Sequence, residues 1–169
     1  MTDAPPDAPR DAPPPDAPPD AALAGQLAAK LDALSQARLG RSLALFHVGG
    51  GGCGGCELEL RALRGAAYGL ERLGLTFVAS PRHADVLLVT GPPTRAMAEP
   101  LRRAWEAVPD PKWVVAVGAC AIDGGVFAGS YAVLGGVGAV LTVDMVIPGC
   151  PPSPAQVLQG LRTLIEANV

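Results

Sequence analysis

Residues 42–60 have the sequence SLALFHVGGGGCGGCELEL, and this stretch decides the fold. Its first seven residues are mostly apolar and are followed by glycines, a pattern typical of a short strand buried in a parallel sheet. The glycines lead to Cys53 and, two glycines later, to Cys56, where apolar residues begin to recur at helical spacing. The stretch therefore predicts a strand, a glycine-rich turn that carries two thiols, and a helix.

The same alternation of strand and helix continues along the chain. The predicted strands are 42–48, 75–80, 84–90, 112–118 and 139–143. The predicted helices run from Cys56 to about Gly74, from Thr94 to Val108 with a kink or a restart at Pro100, and from a Ser153 cap through the last segment of the sequence. This order predicts an α/β fold, in which a mostly parallel sheet has helices on both faces.

Two segments precede this pattern. Residues 1–20 are an Asp-Ala-Pro tract with little to bury, and we expect a disordered tail. Residues 21–40 form a predicted helix, with Asp20 as its cap and Gly40 at its end. Its predicted buried face is Leu23, Leu27, Leu31 and Leu34. Residues 41–169 are then the α/β domain.

Composition and charge exclude several classes of protein. The net charge of −3 arises in the tail, where five aspartates accompany one arginine, so the remainder is close to neutral. A near-neutral body without a basic stripe argues against nucleic-acid binding. No secretory signal or membrane-spanning segment is visible, so we expect a cytosolic chain. Disulfides are rare there, and the four cysteines are expected to serve metal or redox chemistry.

The predicted topology brings all four cysteines together. In open parallel sheets, ligands bind beyond the carboxyl ends of the strands. Cys53 follows the first strand, Cys120 follows strand 112–118, and Cys150 follows the last short strand. Because Cys56 lies one turn from Cys53, we expect the four thiols to meet at one edge of the sheet.

Three kinds of chemistry suit four such thiols. An iron–sulfur cluster fits the single C-x2-C pair and the glycines that let backbone amides approach its sulfurs. A structural zinc ion needs four similar ligands but usually has two C-x2-C pairs. Thiol redox chemistry needs only Cys53 and Cys56 at a helix N-terminus, and it leaves Cys120 and Cys150 unexplained. The spacing favours the cluster and leaves the other two open.

Four further residues are candidates for a role beside the thiols. On a helical wheel Glu59 falls on the apolar face, where a carboxylate can relay protons or tune a potential, or can close a capping box with Cys56. Glu57 is expected to pair with Arg61. Asp123 is a turn residue or lies near the site, and His47 is expected to be hydrogen-bonded.

The prolines around Cys150, at 148, 151 and 152, are expected to stiffen its loop. We therefore expect Pro151→Ala to loosen the retention of any bound cluster, which the iron content of the variant would measure.

Several motifs resemble one protein family. They are GGCGGCELEL at 51–60, VTGPPT at 89–94, GACAIDGG at 118–125 and VDMVIPGCPPSP at 143–154. They resemble the 20 kDa subunit family of respiratory complex I, and more strongly the small subunits of membrane-bound, complex I-related [NiFe] hydrogenases of the formate hydrogenlyase type. The resemblance covers about residues 40–166 and implies a flavodoxin-like fold.

The resemblance also implies a function. It makes Cys53, Cys56, Cys120 and Cys150 the ligands of one [4Fe–4S] cluster in an electron-transfer subunit. Gly54 and Gly55 separate the first two ligands, as in hydrogenase small subunits, so a hydrogenase is favoured over the alternative, a 20 kDa subunit of an NADH:quinone oxidoreductase. The implied partners are a large subunit with a [NiFe] or quinone site, a ferredoxin-like iron–sulfur subunit and membrane subunits, with this chain peripheral on the inner face of the cell membrane.

Overall fold

A five-stranded, fully parallel sheet forms the centre of the protein. The computed structural model describes residues 20–65, 68 and 75–168, so the predicted disordered tail lies outside the described residues except for Asp20. The strands are β1 (Ala44–Gly49), β2 (Thr76–Phe77), β3 (Val86–Thr90), β4 (Trp113–Val117) and β5 (Met145–Ile147). Their order is β2-β1-β3-β4-β5, which is the flavodoxin-like order and confirms the predicted fold.

Helices cover both faces of this sheet. They are α1 (Ala21–Leu39), α2 (Gly55–Arg64), α3 (Ala98–Ala107), α4 (Ala119–Asp123) and α5 (Pro154–Asn168). Alternate strand residues point to opposite faces. Leu45, Leu88 and Val115 face a core shared with α1, α2 and α5. Leu87 and Val114 face a second core shared with α3 and α4. Within the described residues, no helix is both long and apolar enough to cross a bilayer.

The predicted strand at 139–143 is wrong. Residues Val137–Ala139 form a 3-10 turn, and the Leu141 N–H donates to the Val137 carbonyl at 3.0 Å. This turn buries Val137 and Leu141 together against the second core. The last strand lies further along, at Met145–Ile147, because Asp144 binds the Val114 backbone from both sides, through its own N–H and through its carboxylate.

The helix α1 starts and ends as predicted, but its start is stabilised differently and its buried face differs. Gly40 ends it in the left-handed conformation, with its N–H bonded to the Gln36 carbonyl. Asp20 occupies the predicted N-cap position, but its side chain makes no cap hydrogen bond; its carboxylate accepts a hydrogen bond of 2.8 Å from the Tyr68 hydroxyl. Leu23 is 53% exposed, because the buried face passes through Ala24 and Ala28 and continues to Leu27 and Leu31.

Backbone conformation at a glycine and at a proline sets the end of α2 and the start of α3. The helix α2 ends at Arg64 rather than near Gly74, because Gly65 is extended, and residues 69–74 lie outside the described residues. Pro100 lies in the first turn of α3, where its missing N–H costs nothing, so of the two predicted outcomes the helix begins around the proline and does not kink there.

Two sequence-level predictions at loop ends differ in outcome. Thr94 does not cap α3 but forms an isolated bridge with Val133. Ser153 caps α5 as predicted: its hydroxyl accepts from the Gln156 N–H, and the Gln156 side chain accepts from the Ser153 N–H. Of the predicted strand 75–80, only Thr76 and Phe77 are paired.

A buried carboxylate fixes the end of the sheet opposite the thiols. Asp85 is 1% exposed and accepts hydrogen bonds from both terminal nitrogens of Arg41 and from the Ala44 N–H at 2.9 Å. We expect Asp85→Ala to lower the free energy of unfolding by about 2–4 kcal/mol, because it leaves a buried N–H and a guanidinium without a partner. Urea unfolding followed by circular dichroism measures this change.

The matched control for Asp85→Ala is Glu99→Ala. It breaks an exposed ion pair with Arg103, and we expect a loss below about 1 kcal/mol. Equal losses in the two variants would contradict the structural role of Asp85.

Candidate metal centre

The cavity of interest lies at the carboxyl ends of the strands. It has an empty volume of about 240 Å³, part of which is open to solvent. It is lined by Gly51, Gly52, Cys53, Gly54, Gly55, Cys56, Glu57, Thr90, Gly91 and Cys120. The glycine-rich stretch between β1 and α2 therefore forms one wall, and the ends of β3 and β4 form the other.

Backbone contacts hold the two walls together. Gly50 donates its N–H to the Thr90 carbonyl at 2.7 Å. Gly91 lies against Gly51 so closely that a side-chain carbon on Gly91 would overlap the Gly51 carbonyl oxygen. Only glycine fits at such an approach. The glycines of the motif thus bring the Cys53 loop down onto the end of β3.

The Cys56 sulfur lies against Gly118, which is two residues before Cys120 in the sequence. Cys56 is the second residue of α2, and the buried Cys120 lies in α4, directly after β4. A side-chain carbon on Gly118 would lie 2.5 Å from the Cys56 sulfur, and one on Gly125 would lie 2.9 Å from the Cys120 sulfur. Both thiols therefore occupy space that any larger residue would fill.

The Cys150 loop joins the same site. Gly118 donates its N–H to the Ile147 carbonyl, and Ala119 donates to the Gly149 carbonyl at 2.8 Å. A side-chain carbon on Gly55 would lie 3.6 Å from the Cys53 sulfur and 4.0 Å from the Pro151 side chain. The loop that carries Cys150 thus spans from α4 to the start of α2, beside the other three cysteines.

The electrostatics show that the four thiols are neighbours. The pKa of Cys56 is raised to about 11, chiefly by burial and then by the nearby Cys120, Cys53 and Cys150 in that order. Burial also raises the pKa of Cys120, while a hydrogen bond from the Val126 backbone lowers it. Cysteine ligands bind metals as thiolates, so a bound metal would remove the protons that burial retains on these two thiols.

The donor set fits an iron–sulfur cluster. Three of the thiols, those of Cys53, Cys56 and Cys120, line one cavity with Cys150 near them, and small residues line it where a cubane and its hydrogen bonds need room. Within the part of the chain that the structure describes, no three His, Cys, Asp or Glu side chains are gathered closely enough to hold a single metal ion.

The two glutamates of α2 differ from the helical-wheel prediction. Glu57 lines the cavity, and a side-chain carbon on Gly49 would lie 2.5 Å from its carboxylate oxygen. The described residues show no ion pair between Glu57 and Arg61, so that prediction is wrong. Glu57 lies in the first turn of α2, where a side chain reaches back to the preceding loop. A helical wheel represents only the helix itself, so it does not predict this contact with the loop.

Glu59 lies elsewhere on α2. It is half-buried and does not belong to the cavity lining. Its charge acts on Tyr68, whose pKa is raised to about 12, first by burial and then by the hydrogen bond to Asp20. The cap of α2 is Gly54, without a side-chain hydrogen bond, so the capping box between Cys56 and Glu59 does not form. The role of Glu59 in proton relay or in tuning a reduction potential stays a prediction.

The other candidates have plain structural partners. The Asp123 carboxylate accepts the Gly125 N–H at 2.8 Å, as a turn aspartate does. His47 is half-buried and hydrogen-bonded, as expected, and its partner is the hydroxyl of Thr90 at 2.8 Å. Sequence reasoning missed Thr90; the signal was a polar residue at the end of an otherwise apolar strand, next to Gly91.

The sequence is similar to a family of known proteins and to individual members of hydrogenase complexes. The family described as NADH ubiquinone oxidoreductase, 20 Kd subunit, matches residues 53–164. Formate hydrogenlyase subunit 7 of Escherichia coli is 48% identical over 123 residues, which are 73% of this chain and 48% of that protein. The chain therefore spans about half the length of this relative.

Two further matches cover more of the relative. The probable membrane-bound hydrogenase subunit mbhJ of Pyrococcus furiosus is 44% identical over 128 residues, which are 76% of this chain and 77% of that protein. Among solved structures, a chain of the membrane-bound sulfane sulfur reductase, an archaeal respiratory membrane complex, matches with a TM-score of 0.66 and 32% identity, over 82% of this chain and 74% of that chain. These matches confirm the resemblance inferred from the cysteine motifs.

Proposed function

This chain belongs to the 20 kDa subunit family of NADH ubiquinone oxidoreductase, whose members are subunits of oxidoreductase complexes, and we propose that it is an electron-transfer subunit carrying one [4Fe–4S] cluster. In this proposal the cluster is held by Cys53, Cys56, Cys120 and Cys150. The complex is a membrane-bound [NiFe] hydrogenase related to complex I.

One observation carries the proposal: four thiols from three separate loops converge on one cavity. Cys53, Cys56 and Cys120 line it, and the electrostatic effect of Cys150 on both Cys56 and Cys120 supports its inclusion as the fourth thiol. Thiol redox chemistry needs only two of these residues. A site that uses all four explains why the ends of β1, β4 and β5 each lead into a cysteine.

The chain's own residues would prepare this site in two ways. Cys120 is buried and Cys56 is half-buried, and limited contact with water protects a cluster from loss and helps set its potential. Hydrogen bonds of Gly118 and Ala119 to the β5 end fix the relative positions of Cys120 and Cys150. When bound, the cluster supplies one-electron transfer between the large subunit and another iron–sulfur subunit.

Two features favour a hydrogenase over a quinone reductase. Two residues separate Cys53 from Cys56, as in hydrogenase small subunits, and two of the similar proteins carry hydrogenase or hydrogenlyase names. The alternative is the equivalent subunit of an NADH:quinone oxidoreductase, which the family description favours. The sulfane sulfur reductase shows that the same scaffold also occurs in a complex named for another reaction.

The proposal includes partners and a location. The large subunit covers the cavity, a ferredoxin-like subunit delivers or removes electrons, and membrane subunits hold the complex on the inner face of the cell membrane. Half of the cysteines, Cys53 and Cys150, are exposed in the isolated chain, so a covering partner would complete the protection of the site. Glu59 is proposed as a proton-relay or tuning residue of this chain.

Isolation of the complex tests the proposal. The tagged chain, purified anaerobically from its native host in mild detergent, should contain about four iron and four sulfide per chain beyond those of its partners. The large subunit that accompanies it should carry two C-x2-C pairs and nickel, and the preparation should oxidise or evolve hydrogen.

Each other result has a defined meaning. A large subunit without these cysteines, together with quinone reduction, would replace the hydrogenase by the quinone reductase. Zinc in place of iron and sulfide in the tagged chain would overturn the cluster itself.

A further inference from the structure

A histidine and a threonine form a polar pair beside the cavity. His47 lies in β1, and Thr90 is the last residue of β3, in register with Gly49. The His47 Nε2 and the Thr90 Oγ1 are 2.8 Å apart. Thr90 is 1% exposed and lines the cavity with Cys53, Cys56 and Cys120. His47 is therefore one hydrogen bond removed from the cavity.

The direction of this hydrogen bond decides what Thr90 presents to the cavity. A hydroxyl has one proton and can accept as well as donate. If the His47 Nε2 accepts, the Thr90 proton is used and only oxygen lone pairs are left. If the His47 Nε2–H donates, the Thr90 proton is free to point at another acceptor. The same two side chains thus make either an acceptor or a donor at the cavity wall.

The charge in the cavity favours the second arrangement. Metal-bound cysteines are thiolates, so the occupied cavity is a region of negative charge that attracts the proton of a neighbouring hydroxyl. This attraction orients the pair from His47 to Thr90 to the cavity.

We propose that His47 is a positioning residue that holds the Thr90 hydroxyl as a hydrogen-bond donor directed into the cluster cavity, and that this donor raises the reduction potential of the cluster. The inference rests on the proposed function, because it requires a cluster in the cavity. Donors near cluster sulfurs stabilise the more negative, reduced form, which is why they raise the potential.

The surroundings allow His47 to play this role without carrying a charge. Burial lowers the pKa of His47, with smaller lowering effects from Arg61 and Arg64 and an opposing effect from Glu57. The ring is then neutral at neutral pH, and a neutral ring still has one N–H to donate. The buried position of Thr90 keeps water from replacing its partner.

Matched substitutions separate positioning from packing. Gln places its amide nitrogen near the Nε2 position, whereas the shorter Asn does not reach it, so His47→Gln and His47→Asn differ in reach but not in chemistry. Thr90→Ser keeps the hydroxyl, and Thr90→Val keeps the shape without it. Redox titration of the cluster by electron paramagnetic resonance, in the intact complex, measures the midpoint potential of each variant.

We expect Thr90→Val and His47→Asn to make the cluster harder to reduce, on the order of tenfold in the reduction equilibrium constant, or about 59 mV. Thr90→Ser and His47→Gln should stay close to the unchanged protein. In the Thr90→Val background, His47→Asn should add nothing further, because the hydroxyl that it positions is already absent.

Three results would overturn the inference: unchanged potentials in Thr90→Val, equal shifts in His47→Gln and His47→Asn, or additive shifts in the double variant. Iron and sulfide analysis of the unchanged complex distinguishes a failure of the proposed function from a failure of this inference. A chain without a cluster defeats the proposed function, whereas a cluster whose potential ignores both residues defeats only this inference. If the Thr90→Val chain loses its cluster, the test of the inference rests on His47→Gln and His47→Asn, provided that both variants keep their full iron content.

Discussion

Replacing Cys120 with serine should reduce the iron and acid-labile sulfide of the purified chain almost to zero. Cys120 is the buried thiol of the site and lies directly behind β4, so no other cysteine can take its position. The sequence contains four cysteines and the proposed site uses all of them, which leaves no replacement ligand. Serine is a harder oxygen ligand that suits iron–sulfur iron poorly. Metal and sulfide analysis after anaerobic purification measures the loss.

The control for this substitution is Asp123→Asn in the same loop. Its side-chain oxygen can still accept the Gly125 N–H, and we expect the iron content to stay unchanged. Circular dichroism should show that both variants keep their helical content. If Cys120→Ser retained its iron and sulfide, Cys120 would not be a ligand. A protein that keeps dithiol–disulfide activity in Cys120→Ser would instead support chemistry by Cys53 and Cys56 alone.

The convergence of the thiols was predictable because topology alone requires it. Parallel strands present their carboxyl ends at one edge, so cysteines that follow β1, β4 and β5 had to meet there. The short apolar runs before Cys53 and Cys120 were sufficient to identify β1 and β4. Even the wrong placement of the last strand, at 139–143 rather than at Met145–Ile147, left Cys150 on the correct edge.

What could not be predicted depends on contacts between distant segments. Val137 and Leu141 belong to an apolar run that suits a strand or a turn equally well, and only the second core decides between them. Leu23 follows the spacing of a buried face, but α5 selects the adjacent alanines. Glu57 lines the cavity together with the loop before α2. A helical wheel for an isolated helix contains no such loop, so the position of Glu57 could not be predicted from it.

Gly118 shows how closely the backbone of this site is packed. Its φ of 90° and ψ of 157° lie in a region that is essentially restricted to glycine. It connects β4 to the turn that carries Cys120, and the Cys56 sulfur lies where a side chain would be. A single residue therefore sets the direction of one ligand and leaves the space for another.

Gly118→Ala should lower the stability of the chain by roughly 1–3 kcal/mol or more, through backbone strain, and should also lower its iron content, because the new methyl group would lie 2.5 Å from the Cys56 sulfur. Gly40→Ala is the matched control. Gly40 also has a positive φ, 71°, but nothing lies within 4 Å of an added carbon. It should lose comparable stability and keep its iron. Thermal unfolding and iron analysis measure the two effects separately. Equal iron losses in both variants would mean that strain alone empties the site, whereas a selective loss in Gly118→Ala would place the cluster against Cys56.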